Sequence, residues 1–146
     1  MATNRKEYIV IGGCGRLGGH LANQLSRDGH SVVIIDLNEA TFQHLSTEFS
    51  GFRLEGDACE LEVLQRAKMH EADKVIAVTR NDNVNLAMAQ MATAIFHVPT
   101  VVARVSDPQR EAIFRDLGVH TVCPLLLATD ELLRRFAGAT SQERAT

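Results

Sequence analysis

Tryptophan is absent from this 146-residue chain, tyrosine occurs once, and basic residues are in deficit, 15 Lys and Arg against 18 Asp and Glu for a formal charge of -3. With neither base-stacking aromatics nor a phosphate-tracking basic surface, the composition excludes nucleic acid as a partner. Cysteine is scarce as well: Cys14, Cys59 and Cys123 lie far apart with no Cys-x-x-Cys or Cys/His spacing. That argues against a zinc site and for a reducing compartment with three buried or inert thiols. No apolar run approaches the roughly 18 residues of a membrane span, and Met1–Glu7 is polar with no apolar signal core. The expectation is a cytoplasmic protein without direct membrane insertion. The length allows one domain, and 45% hydrophobic with 23% charged residues is an ordinary globular composition.

Glycine is concentrated where proline is missing. Five of the ten glycines fall between Gly12 and Gly19, whereas Pro99, Pro108 and Pro124 are confined to the last third. Short β-rich runs recur every 20–25 residues: Tyr8–Ile11, Ser31–Ile35, Phe52–Glu55, Lys74–Val78, Thr100–Ala103 and His120–Cys123. They are nearly continuous in hydrophobicity, as parallel strands covered on both faces should be. Helix-period segments separate them. Leu17, Leu21 and Leu25 repeat before Gly29; Phe42, Leu45 and Phe49 follow an Asn38 cap; Leu61, Leu64 and Ala67 follow Asp57 and Glu60 at capping-box spacing. Val84, Met88, Met91 and Ile95 continue the pattern, and Asp107-Pro108 opens a helix through Leu117. The alternation predicts an α/β, Rossmann-like, doubly wound parallel sheet of about six strands with helices on both faces. Residues 1–138 form this single domain, and 139–146 read as a loose polar tail.

The chemistry lies in Gly13-Cys14-Gly15-Arg16-Leu17-Gly18, which is G-x-G-x-x-G between a strand and an amphipathic helix. Gly13 makes the tight turn, Gly15 admits a pyrophosphate to the backbone, and Gly18 lets helix and strand pack closely. The helix N-terminus adds free N–H groups and a positive dipole end. Asp36 closes the second strand, where a carboxylate accepts both hydroxyls of an adenosine ribose and repels a 2′-phosphate; the competing role is to cap the next helix. Asp57 stands at the ligand edge of the third strand and is also a good N-cap. Thr79-Arg80-Asn81-Asp82 and Arg104 follow strands four and five, as ligand contacts or as solvated loop.

These residues resemble one family, the potassium-transport nucleotide-binding domain, also called the TrkA N-terminal or RCK domain. The elements that match are IVIGGCGRLGGHLA, VVIIDLN, the GDA triplet, ADKVIAVTRNDNVNL and ARVSDP, nearly the whole chain. Arg16 and the T-x-x-D-x-x-N pattern of Thr79, Asp82 and Asn85 are more specific than the glycines. The resemblance implies a cytosolic regulatory subunit that binds NAD(H) or ATP/ADP, not NADP, assembles as a homodimer or higher ring, and gates a membrane potassium transporter or channel. It would act at the inner face of the cell membrane through that partner. It further implies that Gly13 through Gly18, with the Arg16 charge, wrap the phosphates; that Asp36 and Leu37 border the ribose and Asp57 and Ala58 the adenine; and that Thr79, Arg80, Asn81 and Asn85 line the far side, with Arg104 at phosphate or partner. Many relatives continue into a second regulatory ligand-binding domain, which residues up to Thr146 do not supply.

An enzyme using the same dinucleotide is the alternative. A short-chain-type dehydrogenase needs a Tyr–Lys proton relay, but Tyr8 lies in the first strand and Lys6, Lys68 and Lys74 are not spaced with it. The six histidines are scattered, no catalytic residue is assigned, and no substrate domain positions a hydride acceptor. In the last segment, Leu125, Leu126, Leu127, Leu132, Leu133 and Phe136 cannot all share one sheet-facing stripe. Self-association is the expectation; packing under the chain's own loops is the alternative.

Overall fold

The structure, a computed structural model, describes residues 5–145, with side chains as far as residue 138. Six strands form it: β1 (Tyr8–Gly12), β2 (Ser31–Asp36), β3 (Phe52–Glu55), β4 (Lys74–Ala77), β5 (Thr100–Arg104) and β6 (His120–Val122). All pair in parallel, in the order β3-β2-β1-β4-β5-β6. Chain direction across the sheet reverses between β1 and β4, so a crevice opens there at the carboxyl ends of the strands. The doubly wound Rossmann-like sheet is therefore as the sequence predicts.

Pleating sends alternate residues of each strand into two cores. Val10, Val33, Ile35 and Val75 join Leu64, Met88, Ala92 and Phe114 on one face, while Ile9, Ile11, Val32 and Ile34 join Ala22, Leu45 and Phe49 on the other. Burial on both faces is why β1 and β2 read as unbroken apolar runs, whereas the edge strands β3 and β6 are largely exposed. Helix α1 (Arg16–Arg27) buries Gly18, Gly19 and Ala22, its smallest side chains, against the sheet. Helix α3 (Asp82–Ala94) is capped by Asn81, whose side chain accepts from Asn83 N and Val84 N. Helix α4 (Pro108–Asp116) starts at a first-turn proline behind the Asp107 cap.

Two helices differ from expectation. The segment after Asn38 is a 3-10 turn, Glu39–His44, and not an α-helix. Asn38 does cap it, accepting from Ala40 N, and Leu45 and Phe49 reach the core through further i→i+3 turns. Helix α2 (Leu61–Arg66) starts at Glu60 without a side-chain cap, so the capping box is not made. Asp57 is turned instead into its own tight turn, accepting from Cys59 N at 3.0 Å.

The last helix, α5 (Pro124–Ala145), runs into the segment expected as a tail. Leu125, Leu127, Leu132 and Leu133 are exposed on it. Among the described residues no helix is long and apolar enough to cross a membrane.

Candidate functional site: the glycine-loop cleft

The crevice beside β1 is a cleft of about 860 Å³, within the range of roughly 300–1,000 Å³ typical of small-molecule sites. A smaller hollow of about 250 Å³ sits at the opposite edge of the sheet, between Lys6, His30 and Phe52, away from the glycine loop.

Each glycine of the loop has a separate steric reason. Gly13 has φ +104°, and a Cβ there would lie 2.8 Å from Thr79 N. A Cβ on Gly18 would lie 1.8 Å from Gly13 O, so loop and helix touch through bare backbone. Gly15 is different: nothing lies within 4 Å of its Cβ position, and it is the N-cap of α1 with no side-chain cap bond. The start of α1 therefore faces open space with its amide donors uncommitted, which is an anion-binding geometry.

Asp36 braces that loop. Its Oδ2 accepts from Cys14 N at 2.8 Å and its Oδ1 from Asn38 N at 2.8 Å. Helix capping falls to Asn38, and each Asp36 oxygen keeps a lone pair for a further donor. Next to it, Asp57 takes two bonds from Cys59, through N–H and through the thiol at 2.9 Å. The thiol bond, then the amide bond, hold the Asp57 carboxyl below its ordinary range. The same hydrogen bond, with burial, pushes the Cys59 thiol up to about 11. Burial, reinforced by the Asp36 charge, pushes Cys14 up to about 11 as well.

Of the expected residues, Gly13, Gly15, Arg16 and Leu17 line the cleft from the loop, and Asp36, Leu37, Asp57 and Ala58 from the ends of β2 and β3. Thr79, Arg80, Asn81 and Arg104 line it from β4 and β5. Arg104 Nε is buried without a hydrogen-bond partner among the described residues. Three expected residues do not reach the surface of the cleft. Cys14 is buried with its thiol toward Thr41 O, Gly18 is covered by Gly13, and Asn85 is 0% exposed with its amide consumed by Thr79 and Arg104.

The sequence reading missed Thr41, His44 and Pro124, which also line the cleft. The 3-10 turn folds back over α1, where His44 Nδ1 donates to Cys14 O at 3.0 Å and His44 Cβ meets Gly19. No local pattern announces that return. Ile35, Gly56, Val78 and Val84 were missed too, although each adjoins an expected residue.

Comparison with known proteins agrees with this geometry. The model of the TrkA-N domain family matches residues 9–124. The Trk system potassium uptake protein TrkA of Streptomyces coelicolor is 38% identical over 129 residues, covering 88% of this chain and 58% of that protein. The chain thus spans little more than half the length of that relative. Among solved structures, the Kef CTD of Shewanella denitrificans in AMP-bound form has a TM-score of 0.77 at 22% identity, covering 94% of this chain and 87% of that one. The GsuK channel bound to NAD has a TM-score of 0.68 at 21% identity, covering 86% and 22%. At such identities the two structures attest the fold, and the family match with the TrkA relative attests descent: the chain belongs to the TrkA-N domain family.

Proposed function

We propose that the cleft binds an adenine nucleotide, NAD(H) or ATP/ADP, and that its occupancy regulates a potassium transporter or channel from the cytoplasmic side. The observation that carries this reading is the open space at Gly15 before an uncapped α1, in a cleft also lined by Arg104, whose Nε is buried with no hydrogen-bond partner among the described residues. Both are donor sites that the described residues leave unsatisfied, and phosphate is a group that satisfies such donors. In this reading Gly13 to Leu17 hold the phosphates with Arg16 and Arg104, Asp36 takes the ribose hydroxyls, and Asp57 and Ala58 border the base. Support comes from the TrkA relative and from neighbours of the same fold whose structures hold AMP or NAD.

An oxidoreductase role has less support. Tyr8 is at the amino end of β1, away from the cleft, and donates its hydroxyl to Ala67 O at 2.6 Å. Burial raises its pKa further from neutrality. Among the described residues no lysine lines the cleft.

Thermal unfolding tests the nucleotide reading. Ligand at about 100 times its Kd should add about 2.7 kcal/mol, or roughly 5–10 °C. NADP should stabilise less than NAD, and Asp36→Ala should lose most of the gain. Unchanged melting with NAD, ADP and ATP alike would refute the reading. Regulation of a partner also needs a surface, and the exposed leucines of α5 supply one for a homodimer or larger ring. Sedimentation equilibrium should find an oligomer that Leu132→Asp with Leu133→Asp converts to a folded monomer. A native chain that stays monomeric at high micromolar concentration removes this element.

A further inference from the structure

Asn85 is the most deeply committed polar side chain near the cleft, and it touches none of the open space. Its Oδ1 accepts from Thr79 N at 2.9 Å and from Thr79 Oγ1 at 2.6 Å. Its Nδ2 donates to Thr79 O at 3.0 Å and to Arg104 O at 3.0 Å. Those four bonds exhaust the two donors and two lone pairs of a carboxamide. They also fix which end of the amide is oxygen, because a backbone N–H requires an acceptor and two carbonyls require donors.

The bonds join two strands. Thr79 follows β4 and Arg104 ends β5, and both line the cleft. One helical turn earlier, Asp82 extends the tie, its two oxygens accepting from Ser106 N at 2.8 Å and Asp107 N at 3.3 Å. Residues three apart on a helix share a face, so α3 presents Asn85 and Asp82 together to the turn that carries Arg104. Arg104 Nε, by contrast, is buried with no hydrogen-bond partner among the described residues. The bond from Asn85 Nδ2 to Arg104 O thus holds the residue at its backbone, where no hydrogen bond holds that nitrogen.

We propose that Asn85, supported by Asp82, is a positioning residue for the phosphate-bearing part of the ligand: it fixes Arg104 and Thr79 relative to each other so that the guanidinium meets a phosphate held by the glycine loop. This rests on the nucleotide reading of the cleft. It separates the T-x-x-D-x-x-N pattern into one residue at the ligand edge, Thr79, and two behind it. The nucleoside side of the cleft, built on Asp36, Asp57 and Ala58, does not depend on Asn85.

The test is a titration of the whole chain with adenosine and with ADP, followed by NMR so that weak binding is measured. Asn85→Asp keeps the shape and the acceptors, loses both donors and adds a negative charge, whose own repulsion of ADP would add to the effect of Arg104→Ala. It should weaken ADP about tenfold or more, the scale of one charge-assisted contact, and leave adenosine within about twofold. Added to Arg104→Ala, the uncharged Asn85→Ser should weaken ADP no further, since coupled residues are not additive. Equal losses for adenosine and ADP, unchanged ADP affinity, or additive effects of Asn85→Ser with Arg104→Ala would each overturn the assignment while leaving the nucleotide reading in place. Failure of the unmutated chain to bind ADP would overturn both. If circular dichroism finds Asn85→Asp unfolded, Asn85→Ser and Asp82→Ala loosen the same turn and must give the same split.

Discussion

Helices α1, α3 and α4 all open at the carboxyl edge of the sheet, yet they spend their first amides differently. At α3 the Asn81 side chain takes two of them, and at α4 the Asp107 carboxylate takes one. At α1 the capping position is Gly15, which has no side chain to offer. Two of the three helix starts are therefore closed by the chain, and the third is left for something else to close. The intrinsic loss is modest, since glycine at an N-cap costs only a few tenths of a kcal/mol against the best residues. A small deficit in the empty domain thus leaves donors for an anion.

The largest test of that contrast sets two glycines of one loop against each other. Gly18→Ala forces a methyl to 1.8 Å from Gly13 O, a backbone atom that has no rotamer to change. It should cost about 3 kcal/mol or more, at the upper end of overpacking effects, and lower the melting temperature by roughly 10 °C. Gly15→Val places its Cβ where no atom lies within 4 Å, at an ordinary negative φ. It should leave the empty domain folded by circular dichroism but abolish nucleotide binding in a titration. Retained binding would mean that the phosphates lie elsewhere.

A smaller effect is expected at a closed helix start. Asn81→Ala uncaps α3 and should cost about 1 kcal/mol, or roughly 3–4 °C, with less effect on nucleotide affinity than Gly15→Val. If it proves as damaging to binding, Asn81 contacts the ligand directly.

The smallest effect concerns Asp57, which might have capped α2 and does not. Cys59 holds its carboxyl below the ordinary range, so the stabilisation is full above that range and is lost as pH falls through the lowered value. Cys59→Ala removes the thiol bond, the larger of the two causes, and leaves the backbone bond in place. Melting temperatures of the two proteins should differ slightly at neutral pH and converge in acid; a gap that is constant with pH would assign the effect to packing alone.

The central strands β1 and β2 were legible because they are covered on both faces, and all six strands appear within one residue of their expected ends. The 3-10 turn was harder to foresee. Phe42, Leu45 and Phe49 have helix-like spacing because one side of the segment faces the core, and consecutive i→i+3 turns satisfy the same spacing. At the site, steric demands on glycines and an acid at the end of β2 are visible in one dimension. Asn85 lies behind the cleft surface, since a motif reveals that a polar residue is needed but not which way it faces. His44, Thr41 and Pro124 enter the cleft only through tertiary folding, for which neighbouring residues carry no signal.

The two raised thiols carry one more consequence. Only the thiolate attacks electrophiles and oxidants, and a pKa of about 11 for Cys14 and Cys59 leaves roughly one thiol in three thousand ionised at pH 7.5. The two cysteines nearest the glycine loop and the GDA turn are thus chemically quiet. Peroxide or an alkylating label should reach them slowly, so that under the proposed nucleotide reading the cleft keeps its lining intact in an oxidising medium.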